Sequence, residues 1–236
     1  MKIIIAENYE HLSRITVQHL LGYMFQDRRV NLAITGGNTP QRAYELLVEE
    51  VKDRPYFSHV HYYNFDELHF LSGQREGITI SDLRRLYLTP AGVAEENIHK
   101  LDQNNYSTQD ARIAADGGLD LVLLGMGADG HFCGNMPGVT AFANETYRVD
   151  YDDEMKKSVL PLYAGAEEDM PSYYVTMGPR SIMNARHLLM IVNGKNKAAM
   201  VKRVLTGSVE PSVPSSILTL HPHITFVLDQ DAASLL

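Results

Sequence analysis

Short apolar runs alternate along this chain with longer segments in which apolar residues recur every three or four positions. Ile3 to Ile5, Val30 to Ile34, His59 to Asn64, Leu119 to Leu124, Leu188 to Val192 and Ile224 to Leu228 read as strands. Between them, His11 to Met24, Pro40 to Val51, Ile80 to Tyr87 and Lys195 to Leu205 carry a helical period. A brief apolar run suits a pleated, buried strand, and a period near 3.6 suits a helix with one buried face. Strands that alternate with helices build right-handed βαβ units. The pattern therefore predicts an α/β fold, a doubly wound and mostly parallel sheet with helices on both faces, in a single domain over residues 1–236. One segment breaks the rhythm: residues 151–172, rich in acids and carrying Pro161, Gly165 and Pro171. A connection of that length is either a surface excursion or a lid over a site.

Composition narrows the function. At 236 residues and 44% apolar content the chain can bury a substantial core. A net charge of -8 without a cluster of Lys and Arg argues against a nucleic-acid partner. An anionic metabolite would instead need local cations or backbone amides. The opening Met1-Lys2-Ile3-Ile4-Ile5-Ala6-Glu7 turns polar too soon for a signal peptide, and no apolar stretch reaches membrane-spanning length. A cytoplasmic protein without a membrane partner is expected. The single cysteine, Cys133, excludes an internal disulfide framework and reads as a small buried side chain rather than a reactive thiol.

Candidate chemistry gathers at strand ends, where open α/β sheets bind ligands. The Leu119 to Leu124 run stops in Gly125-Met126-Gly127-Ala128-Asp129-Gly130-His131, delivering an acid and an imidazole two residues apart. These glycines mimic a dinucleotide fingerprint, with Asp150 as its ribose ligand, but Gly134, Pro137 and Gly138 interrupt the helix that such a site requires. In Thr35-Gly36-Gly37-Asn38-Thr39-Pro40, Thr39 can cap the next helix and Pro40 suits its first turn. This loop is either an anion seat built from free N–H groups or a plain capped turn, and it lacks the lysine of a Walker loop. Asp66 and Glu67 end another strand and point to opposite sides, so one can serve as a general base while the other is held by a structural hydrogen bond. The alternative is that both are solvated or cap the next element. Past Gly194, Lys195 and Lys197 stand in a first helical turn, where a cation invites an anionic partner. No Cys/His spacing points to a metal.

Taken in order, Thr35 through Pro40, Asn64-Phe65-Asp66-Glu67, Gly127 through Pro137, Gly194-Lys195-Asn196-Lys197-Ala198 and Leu220-His221-Pro222 resemble the glucosamine-6-phosphate deaminase/isomerase and 6-phosphogluconolactonase superfamily over nearly the whole chain. Asn64, Asn135 and the Leu220-His221-Pro222 ending look like the deaminases. Met136 stands where deaminases carry glutamate and lactonases an apolar residue; the six-residue glycine loop is also lactonase-like, whereas Leu68 replaces the lactonase arginine. The resemblance implies isomerisation or deamination of glucosamine 6-phosphate or galactosamine 6-phosphate to a ketohexose 6-phosphate. Its alternatives are hydrolysis of a phosphosugar lactone and, in a different class, a non-catalytic sugar-phosphate sensor. Such a regulator needs a DNA-binding module, for which the early first helix leaves no room. Carried over, Asp66 shuttles a proton between C1 and C2, His131 assists ring opening, and Asp129 belongs to the same catalytic loop. Thr35, Gly36, Gly37, Asn38, Thr39 and Lys197 hold the phosphate, with Arg180 as a further contact, and Glu67, Asn135 and Met136 complete the pocket. In the lactonase alternative His131 is the base for attacking water. The resemblance implies a phosphosugar as the small-molecule partner and no metal or organic cofactor, and it leaves a homo-oligomer open.

Overall fold

A computed structural model describes residues 1–163 and 167–236, so that Gly165 lies outside the described residues. The first half runs β1 (Lys2–Ala6), α1 (Tyr9–Met24), β2 (Val30–Ala33), α2 (Gln41–Val51), β3 (Val60–Tyr63), β4 (Asp66–Glu67), α3 (Ile78–Leu83), β5 (Ile98–His99) and α4 (Gln109–Ala115). The second runs β6 (Leu121–Gly125), β7 (Tyr147–Asp150), α5 (Asp153–Val159), β8 (Tyr173–Thr176), α6 (Pro179–Met183), β9 (Leu188–Val192), α7 (Ala198–Thr206) and β10 (Ile224–Asp229). Seven strands form one sheet in the order β1-β10-β9-β6-β2-β3-β5, every pair parallel. The expected doubly wound sheet is present. Its central strands are buried except at Gly125, the cavity end of β6, as a parallel sheet covered on both faces requires.

Alternation along each strand splits the core into two layers. Leu121, Leu123, Leu189 and Ile191 face one way and pack with Leu12, Leu20 and Met24 of α1, Tyr44 and Leu47 of α2 and Ile80 and Leu83 of α3. Val122, Leu124, Leu188 and Met190 face the other way, against Ile113 of α4, Ile182 of α6 and Val201 and Val204 of α7. The chain winds outward from β2 to β3 and β5, then resumes at β6 on the other side of β2 and winds toward β1. The strand order thus reverses between β2 and β6, and a crevice opens beyond their carboxyl ends.

The structure departs from the expected elements in several places. A second, antiparallel sheet of order β4-β8-β7 stands beside the first and has no counterpart in the sequence pattern. The helix expected over Ile80 to Tyr87 begins at Ile78 and finishes in a π-helical turn, Arg84–Leu88. The one expected from Lys195 opens as a 3-10 turn, Lys195–Lys197, before α7. Thr39 does not cap α2: its hydroxyl donates to Asn193 across the crevice at 3.0 Å, and α2 starts without a side-chain cap. Within residues 151–172, Asp152 caps α5, Tyr163 donates to the His69 carbonyl, and Leu71 N–H donates to the Asp169 carbonyl. No helix among the described residues is long and apolar enough to cross a membrane.

Candidate active site

A cavity of about 1090 Å³ occupies the crevice. Thr35, Gly36, Gly37, Asn38 and Thr39 line it from the end of β2, His131 from the loop after β6, Asp66 from β4 and Lys197 from the turn before α7. Three of these segments meet there because the parallel strands β2, β6 and β9 end on the same side of the molecule, and Asp66 joins them three residues past the end of β3, a strand of the same sheet.

Asp66 and Glu67 divide as adjacent strand positions must. Asp66 lines the cavity, where the Thr79 hydroxyl donates to its Oδ1 at 3.3 Å. Burial pushes its carboxyl up to about 6, against that hydrogen bond and the charge of His131. Glu67 turns inward with 1% exposure and accepts from the N–H groups of Thr79 and Ile80 at 2.8 and 3.0 Å, anchoring the start of α3. Its burial raises it to about 8 despite those donors. Buried Asn64 fixes the corner between the two sheets: its amide donates to the Asp66 and Leu101 carbonyls, and its oxygen accepts from Leu101 N–H. Glu67 therefore supports the site from beneath without lining it.

His131 is held by Asp129. The carboxylate Oδ1 lies 2.6 Å from the imidazole Nδ1 and also accepts the His131 backbone N–H at 3.1 Å. That contact lowers the Asp129 carboxyl below its ordinary value, chiefly through the hydrogen bond from His131. With Nδ1 donating to Asp129, Nε2 is the basic nitrogen. A Cβ at position 127 would lie 2.2 Å from His131 Nδ1 and 2.4 Å from Asp129 Oδ1, so any side chain there would push the pair out of this arrangement. The loop continues into the second sheet, where Gly134 N–H donates to the Thr176 hydroxyl of β8 and Tyr174 donates to the Gly134 carbonyl.

At the other end of the cavity, Gly37 has φ +82, a left-handed backbone that places the loop's N–H groups where a chain of L side chains would not. Burial pulls the Lys197 ammonium down from its ordinary value while Asp229 opposes the shift. A partly buried cation beside glycine amides is a suitable seat for a phosphate.

Not every expected residue joins the site. Arg180 does not line the cavity: it sits on α6, largely exposed, and pairs with Glu145 at 3.5 Å. Asn135 is buried, donating to the Met177 carbonyl and accepting from Tyr147, so it braces the loop rather than the pocket. Met136 packs beside Val149, Tyr151 and Tyr174 on the second sheet and also stays out of the cavity. Cys133, expected as a buried core residue, is half-buried and lines the cavity, with burial pushing its thiol well above the ordinary value. Asp150 is paired with Arg148 on β7, remote from a nucleotide role. Conversely, Arg75, Asp82, Arg85 and Leu162 line the cavity although they belong to none of the motifs at the strand ends. The i,i+3 spacing of Asp82 and Arg85 was the one signal available for that pair, and on an exposed helical face it reads as an ordinary surface ion pair.

The sequence matches the family of glucosamine-6-phosphate isomerases/6-phosphogluconolactonase over residues 6–226, and the chain belongs to that family. Among its relatives, a glucosamine-6-phosphate deaminase from Rhodopirellula baltica is 38% identical over 218 residues, covering 87% of this chain and 84% of the relative. Another, from Shouchella clausii, is 30% identical over 241 residues, covering 99% and 97%. A solved monomeric glucosamine-6-phosphate deaminase superposes with a TM-score of 0.84 at 24% identity over the whole of both chains. The 6-phosphogluconolactonase from Trypanosoma cruzi reaches 0.76 at 21% identity, over 100% of this chain and 96% of that one. Both likenesses establish the shared fold.

Proposed function

We propose that this protein is an enzyme that converts an amino-hexose 6-phosphate to a ketohexose 6-phosphate with release of ammonia. The observation that carries the reading is the single cavity with a carboxylate, an oriented imidazole and a glycine-amide loop with a lysine on its walls. The phosphate rests on the amides of Thr35 to Thr39 and on Lys197, and the sugar extends toward Asp66 and His131. His131 Nε2 moves the proton of the C1 hydroxyl to the ring oxygen and opens the ring. Asp66 then takes the proton from C2 while the C1 carbonyl oxygen takes one from the C2 ammonium, and the carboxyl returns its proton at C1 of the resulting enolamine. The imine left at C2 is hydrolysed by water, so that the nitrogen leaves as ammonia and a ketone remains. A carboxylate at about 6 is ionised at neutral pH yet basic enough to abstract a proton activated by the neighbouring carbonyl carbon. Asp129 orients the imidazole and stabilises its cation, the role a carboxylate plays behind a catalytic histidine.

One observation favours a second reading. Met136 packs away from His131, and Asp129 is the sole carboxylate bonded to His131 among the described residues. A histidine so supported is also equipped to activate water against a lactone carbonyl. The deciding experiment presents glucosamine 6-phosphate, galactosamine 6-phosphate and 6-phosphogluconolactone to the wild type and to Asp66→Asn, following ammonia, ketose and acid. Ammonia and ketose formation abolished by the substitution is the expected result. Fast lactone hydrolysis that survives it would replace the deaminase reading with the hydrolase one, and binding without turnover of any of the three would replace both with a sensor.

A further inference from the structure

We propose that Asp82 is a resident competitor for the glycine loop, a carboxylate that leaves when a phosphate arrives, and that Arg85, its ion-pair partner, then passes to the phosphate. The inference rests on the reading of Thr35 to Thr39 as the phosphate seat. Asp82 Oδ2 accepts the Gly37 N–H at 2.9 Å, so one of the amides expected to hold a phosphate is already bonded to an anion of the protein itself. Its other oxygen, Oδ1, accepts from Arg85 Nη2, and both residues line the cavity. The pair stands where it can move, the Asp82 side chain being 26% and the Arg85 side chain 65% exposed.

A carboxylate and a phosphate are both acceptor-only anions, and they cannot share one N–H donor at close range without strong repulsion. Phosphate carries a charge of about -1.5 to -2 at pH 7, against -1 for Asp82. Arrival of the dianion therefore breaks the Asp82–Gly37 bond, and the guanidinium that had balanced Asp82 becomes available to the stronger anion. Arg is suited to this transfer because its planar fork matches phosphate as well as carboxylate. The observed affinity is the intrinsic affinity reduced by the fraction of molecules in which Asp82 has vacated the loop. A neutral group has no comparable attraction for Arg85 and cannot displace the carboxylate, so the device selects phosphorylated over unphosphorylated sugars.

Calorimetric titration with inorganic phosphate of the full chain, of Asp82→Asn and of Arg85→Gln tests the proposal. Asp82→Asn is expected to bind phosphate about tenfold more tightly, and Arg85→Gln about tenfold more weakly, the order expected of one charge-assisted hydrogen bond. If Asp82 instead props the loop in shape, Asp82→Asn weakens phosphate binding, and that sign overturns the proposal. Equal affinity of wild type and Asp82→Asn overturns it as well, while leaving the loop's role as a phosphate seat intact. Absence of phosphate binding in all three proteins, together with saturation by substrate that is indifferent to Lys197→Gln, removes the phosphate seat and the competitor together. Should the Asn variant not fold by circular dichroism, Asp82→Ser removes the same carboxylate and carries the same expectations.

Discussion

The Asp66 carboxylate serves the proposed chemistry at a cost to the fold, and replacing it with the isosteric amide measures that cost. Burial lifts its pKa from 3.8 to about 6. Two pH units correspond to about 3 kcal/mol at roughly 1.36 kcal/mol per unit. Asp66 stands on the wall of an open cavity, where solvent screens the charge, and the realised cost falls to roughly 1–2 kcal/mol. The sign follows from proton linkage: the folded state holds this proton more tightly than the unfolded state, so the group adds no cost below about pH 4. The cost grows as pH rises through 4 to 6 and is constant above. Asp66→Asn keeps the size of the side chain and an oxygen to accept from Thr79, yet has no charge to bury. Urea unfolding of the two proteins between pH 4 and pH 8 should show the variant more stable by roughly 1–2 kcal/mol at pH 7.5 and equal at pH 4. In thermal terms the gain is about 2–6 °C for a chain of this size. A variant no more stable than wild type at pH 7.5, or a gain that ignores pH, refutes the claim that burial of this carboxylate is what raises it.

Other outcomes follow from the same geometry. The acid limb of kcat/KM should fall near pH 6, and Thr79→Val, which deletes the hydroxyl donor to Asp66, should move that limb upward; a limb that stays in place separates it from Asp66. Gly127→Ala drives a methyl group into the Asp129–His131 pair, and steady-state kinetics should record a loss of at least about a hundredfold in kcat, with a midpoint of urea unfolding that moves little because the groups displaced are side-chain ends. Glu67→Ala strands the buried N–H groups at the start of α3 and should cost about 2–4 kcal/mol by urea unfolding, whereas a loss below about 0.5 kcal/mol would mean that water reaches those donors.

The large sheet was legible because its strands are buried on both faces and therefore appear as unbroken apolar runs such as Leu121 to Leu124. The opposite facing of Asp66 and Glu67 was legible for an equally local reason, the two-residue repeat of extended chain. The second sheet was not, since β4 is two residues long and its partner β8 lies more than a hundred positions away, with β7 joining on the far side of β8. The place of Asp82 and Arg85 was not legible, because nothing in a helical surface pair shows which loop it leans against. Arg180, Asn135 and Met136 were assigned by resemblance alone, and the second sheet takes the last two: Asn135 bonds to the residue that follows β8, and Met136 joins the apolar cluster on its surface. Thr39 likewise met a partner, Asn193, that lies more than 150 residues along the chain.

That small antiparallel layer has a role its size conceals. β4 carries Asp66, and β8, paired with it at Asp66 and Thr176, also grips the descending limb of the His131 loop through the Thr176 hydroxyl. The spacing of the Asp66 carboxylate and the His131 imidazole is thus gauged by two short ribbons, β4 and β8, rather than by the seven-stranded platform. Substitutions on the ribbons would therefore shift these two groups relative to one another while the platform keeps its sequence and its packing.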